Sequence, residues 1–96
     1  MRKYEIMYIL RADLDEEARK AAIDELADII NSNEGKVTST DESMGLRDFA
    51  YPIKEQSKGY YVVLKVEMTN ETIYEFNRRV RINSKVLRYL ILVDHE

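Results

Sequence analysis

Five basic side chains, Arg78, Arg79, Arg81, Lys85 and Arg88, fall within residues 77–93, a stretch that holds no acid. Arginine forks at this density suit phosphate oxygens, which they grip with paired N–H donors. A nucleic-acid binder that reads shape needs such a patch more than it needs base contacts. Arg2 and Lys3 add cations at the start of the chain. The competing reading is a solvated helix terminus, where cations favour the dipole, and spacing alone leaves both open. The acids gather elsewhere. Residues 11–35 hold eight (Asp13, Asp15, Glu16, Glu17, Asp24, Glu25, Asp28, Glu34) against three bases. Asp13-x-Asp15-Glu16-Glu17 could touch a divalent ion, but it reads more simply as the acidic first turn of a helix.

Other chemistry finds few residues to work with. Cysteine is absent, which removes disulfides, thiolate metal sites and thiol nucleophiles together and fits a reducing cytoplasm. The single histidine, His95, stands next to the end of the sequence. Gly35, Gly45 and Gly59 are isolated, so no glycine-rich phosphate loop forms. No catalytic residues, no cofactor, no metal and no small-molecule substrate are therefore expected. Lys58–Lys65 begins like the third strand of an RNA recognition motif. Val62 and Lys65 stand where that motif stacks bases, and the parity of Tyr60 turns it toward the helices.

These cations must be held by a small scaffold. The chain has 96 residues, 45% hydrophobic and 34% charged, which is enough for one modest core and too apolar for disorder. One domain over residues 1–96 is expected, with no leader and no membrane-spanning run. The net charge of −3 conceals a gradient, because the basic run leaves −8 on the rest.

Residues 3–10 read as a strand with Tyr4, Ile6, Tyr8 and Leu10 on one face, and the other face is also fairly apolar. Residues 14–33 read as a helix capped by Asp13 or Asp15, with Glu16 completing a box to Asp13 and Gly35 ending it. Residues 36–46 read as a polar edge strand and 47–58 as a loop around Tyr51-Pro52. Residues 59–68 alternate most clearly and form a strand. Residues 70–82 read as a helix capped by Thr69 or Asn70, with Ile73, Phe76 and Val80 buried, and 85–93 as the last strand. The order β-α-β-β-α-β predicts an α+β, ferredoxin-like split β-α-β fold, with an antiparallel sheet ordered 4-1-3-2 and two helices on one face. The start of the first strand then neighbours the end of the last, so part of the basic charge could form one patch.

The stretch Gly45-Leu46-Arg47-Asp48-Phe49-Ala50-Tyr51-Pro52-Ile53-Lys54 closely resembles the signature of the bacterial-type small-ribosomal-subunit protein six family, with Phe49 where leucine is usual. Met1-Arg2-Lys3-Tyr4-Glu5, the strand from Gly59-Tyr60 to Val66-Glu67-Met68, and Arg81-Ile82…Val86…Arg88 resemble the same family. The resemblance implies a non-catalytic ribosomal protein that binds the central domain of small-subunit ribosomal RNA together with ribosomal small-subunit protein eighteen. It implies RNA contacts at Arg2, Tyr4, Arg81 and Arg88, which join Lys3, Arg78 and Lys85 of the basic runs. It also implies a protein-partner surface at Arg47, Phe49, Tyr51 and Ile53, where aromatic anchors suit an interface. The alternative is a ligand-sensing or oligomerising regulatory domain of the same fold.

Overall fold

The structure, a computed structural model, describes residues 1–94. The elements are β1 (Arg2–Arg11), α1 (Glu16–Asn31), β2 (Lys36–Ile53), β3 (Gln56–Met68), α2 (Asn70–Arg81) and β4 (Val86–Val93). The antiparallel sheet is ordered β2-β3-β1-β4, the expected arrangement read from its other edge. Strands apolar on both faces belong inside a sheet, and β1 and β3 occupy the centre.

Alternation divides the sheet into two faces. Ile6, Tyr8 and Leu10 of β1 and Val62, Leu64, Val66 and Met68 of β3 face the helices. There they form one core with Ala22, Leu26 and Ile30 of α1 and Phe76 and Val80 of α2. Each large apolar side chain buried this way contributes about 1.5–3 kcal/mol. Ile73 packs on this core from its edge, half-buried.

The helix ends differ from expectation in instructive ways. Asp15 caps α1 by accepting from the Ala18 N–H at 2.7 Å. Asp13 is not part of a capping box; the neighbouring Arg11 guanidinium holds it at 2.8 Å. Gly35 does not supply the left-handed residue after α1. Glu34 does, with φ of 65°. Gly35 is required for a different reason: a Cβ there would lie 2.7 Å from the methyls of Ile30 and Thr72. Thr69 and Thr72 form a capping box on α2. The buried Thr72 hydroxyl donates to the Asn33 carbonyl at 2.7 Å, tying the start of α2 to the end of α1.

The expected loop over 47–58 is strand. β2 continues through Tyr51-Pro52 to Ile53, and only Lys54 and Glu55 separate it from β3. Both sit at positive φ, 48° and 67°, which is the two-residue turn that matches strand twist. Pro52 is tolerated because β2 is an edge strand, whose outer N–H groups need no partner. Three register shifts, between Val37 and Ser39, Asp41 and Gly45, and Asp48 and Ile53, interrupt the β2–β3 ladder. Bulges of this kind bend a strand, and they carry the far half of β2 over the sheet.

Candidate functional site

The face of the sheet away from the helices is built in rows. Leu90, Met7 and Val63 lie opposite one another across β4, β1 and β3, and Arg88, Ile9 and Tyr61 form the next row. Toward the start of β1 the rows become charged: Glu5 lies opposite Lys65, and Lys3 opposite Glu67. The open face is therefore apolar at one end and ionic at the other.

The apolar end is partly roofed by the β2–β3 hairpin. Phe49 meets Tyr61 edge-on, with ring centroids 6.4 Å apart. A Cβ at Gly59 would overlap both Phe49 and Ile9, so glycine lets the aromatic ring approach the strand closely. Ile53, although it belongs to one edge strand, lines a hollow of about 250 Å³ with Leu90 and Arg88 of the opposite edge strand. Met7, Ile9, Tyr61 and Tyr89 complete it. An open hollow of this size is small for a drug-sized ligand or cofactor but accepts one or two apolar side chains of a partner. Tyr51 stands beyond it, 74% exposed. Arg47 is exposed and donates to the Met44 carbonyl at 2.8 Å.

The basic charge that could have formed one patch is divided between two ends of the sheet. Arg2 lies opposite Met68 at one end of β1, while Arg88 lies opposite Ile9 near the other. Seven residues at about 3.3 Å each put some 23 Å between them. The register is the reason: the start of β1 meets the end of β4, and the cations lie at the start of β4. Arg2 is exposed. Lys3 is exposed beside the end of β4, and its carbonyl accepts from the Asp94 N–H at 3.0 Å. Tyr4 is half-buried and packs its ring on the core.

At the other end the arginines are not equivalent. Glu75 takes two bonds from Arg78, at 3.0 and 2.9 Å, and one from Arg79 at 3.1 Å. The Arg78 guanidinium, with Arg79 behind it, holds the Glu75 carboxyl below the usual carboxylate range. Arg81 and Arg88 are exposed with no carboxylate partner among the described residues. Lys85 is half-buried, its backbone fixed by Arg11 and Asn83. Arg88 thus projects from the rim of the apolar hollow, while Arg81 and Lys85 bound the connection from α2 to β4.

Sequence reasoning did not single out Met7, Ile9, Tyr61 and Leu90 as site residues. Their signal was the second apolar face of β1 and β4. Among the described residues no group of three or more His, Cys, Asp or Glu gathers to hold a metal. His95 lies outside the described residues, and no described helix is long and apolar enough to cross a membrane.

A family model for ribosomal protein S6 matches residues 3–92. The crystal structure of 30S ribosomal protein S6 from Thermotoga maritima is similar in fold, with a TM-score of 0.90 and 28% identity, over 97% of this chain and 87% of that one. With the match running through all six elements, the chain belongs to the ribosomal protein S6 family.

Proposed function

We propose that this chain, a structural and non-enzymatic protein of the small ribosomal subunit by its family, binds the central domain of small-subunit ribosomal RNA together with ribosomal small-subunit protein eighteen. A cytoplasmic, ribosomal location goes with this reading. The observation that carries it is Arg88: an exposed guanidinium without a carboxylate partner among the described residues, at the rim of an apolar hollow. A phosphate binds such a cation without displacing anything, and a protein side chain fills the hollow beside it.

In this reading Arg81, Lys85 and Arg88 hold RNA phosphates at one end of the sheet, and Arg2 and Lys3 do so at the other, with Tyr4 behind them. A small anion cannot touch sites about 23 Å apart, whereas an extended polyanion can. Arg78 contributes less than Arg88, because a phosphate must compete with Glu75 for it. Phe49, Tyr51 and Ile53, with Arg47 at their edge, receive protein eighteen.

Sedimentation of native extract at moderate salt tests the whole assignment. Co-migration of the chain with the small subunit and with protein eighteen is the expected result. A chain confined to light fractions would overturn it.

A further inference from the structure

The sheet has two edges, and they are treated differently. The β2 edge carries Asp41, Glu42, Arg47, Asp48 and Pro52 and is broken by bulges, all of which discourage another strand from adding there. The β4 edge has little of this protection, its one register shift lying at its start, between Val86 and Arg88. Its sequence VLRYLILV contains one charge and no proline, and Leu90 and Leu92 are 59% and 51% exposed. The Asp94 N–H donates to the Lys3 carbonyl, so Asp94 bonds inward. By antiparallel alternation Leu92 and Leu90 also bond inward, and Tyr89, Ile91 and Val93 turn their backbone N–H and C=O groups outward.

We infer that β4 pairs antiparallel with β4 of a second copy of this chain, with Ile91 opposite itself. Charge complementarity selects this register. Arg88 then lies opposite Asp94 of the other copy, and Leu90 opposite Leu92. All four are on the open face, where Asp94 lines a hollow with Lys3, Lys65 and Glu67. Tyr89 pairs with Val93 through the outward backbone groups. The open-face pairs fall at the non-hydrogen-bonded positions, where opposed side chains come closest. Shifting the register by two residues separates Arg88 from Asp94 and, in one direction, sets it against Leu92.

An edge of this length buries less than a standard interface, so the pairing is weak, dissociating on the order of 0.1 mM. It uses Arg88, and on the RNA-binding reading above, self-pairing and RNA docking would compete for that guanidinium. The self-pairing itself rests on β4 alone and is tested without RNA, so either idea survives the failure of the other.

Sedimentation equilibrium of the purified chain, at loadings from about 10 µM to about 1 mM, is the test. The wild type is expected to associate reversibly to a dimer. Arg88→Asp and Asp94→Arg are each expected to weaken it about tenfold or more, and the double variant to restore it. Circular dichroism keeps folding in view. A wild type that stays monomeric at about 1 mM overturns the proposal. So does a dimer whose strength ignores both single changes, or a double variant no better than the singles.

Discussion

Phe49 of the edge strand β2 meets Tyr61 of the central strand β3 edge-on, with ring planes at 64°. This contact turns an exposed hairpin into a roof over the open sheet face. The aromatic pair is worth about 0.5–1.5 kcal/mol beyond the area it covers. It sits where Gly59 leaves room for it, and it brings Ile53 to the apolar hollow from the far side of the sheet.

Phe49 and Tyr51 should therefore fail in different ways when truncated. Phe49→Ala removes the half-buried ring and is expected to lower stability by about 2 kcal/mol in urea denaturation. Tyr51→Ala is expected to leave stability within about 0.5 kcal/mol, since that ring is mostly in solvent. It should nevertheless weaken the complex with protein eighteen about tenfold or more in a titration. Unfolding of Tyr51→Ala would place that residue in the core and contradict the assignment.

Two glutamates sit in backbone conformations that suit glycine. Glu34 and Glu55 have φ of 65° and 67°, which costs a side-chain-bearing residue about 1 kcal/mol or more. Glu34→Gly and Glu55→Gly are each expected to raise the unfolding free energy by up to an amount of that order, read as a higher unfolding midpoint. Gly35→Ala, one position along, should lower it, because its new methyl meets Ile30 and Thr72. A stabilising Gly35→Ala would show that the close approach at α1 is slack.

Tyr8 is fully buried, and its hydroxyl has no hydrogen-bond partner among the described groups. Tyr8→Phe removes an unsatisfied polar atom and is expected to be neutral or stabilising by about 1 kcal/mol. Burial foremost, with Glu42 and Asp24 behind it, pushes the Tyr8 phenol well above the ordinary 10.0. The unfolded chain then loses this proton first as pH rises. The Tyr8 contribution is intact below pH 10 and is lost progressively above it, by up to about 1.4 kcal/mol per pH unit. Stability of the wild type should fall more steeply above pH 10 than that of Tyr8→Phe. Parallel curves would mean that the phenol ionises in the folded state.

The sheet order and both helices were legible because hydrophobic periodicity states them directly: Val62, Leu64 and Val66 alternate, and Leu26 and Ile30 recur every turn. The second half of β2 was not. Its strand character comes from Phe49 and Ile53 packing on residues of three other strands, which no local pattern carries. The roles of Glu34 and Gly35 were exchanged because composition cannot distinguish a glycine needed for φ from one needed for room. For the basic residues, Glu75 stands three before Arg78 and four before Arg79, a helical pairing readable in advance. The division of the cations between two ends followed only from the β1–β4 register.

The central claim of the proposed function is that Arg88, without a carboxylate partner among the described residues, holds an RNA phosphate. The measurement is affinity for central-domain ribosomal RNA against salt concentration, with protein eighteen present, for the wild type, Arg88→Ala and Arg78→Ala. The log–log slope of Arg88→Ala is expected to be shallower by about one unit, with a smaller change for Arg78→Ala. A slope unchanged by Arg88→Ala would remove Arg88 from the RNA contact and contradict the account.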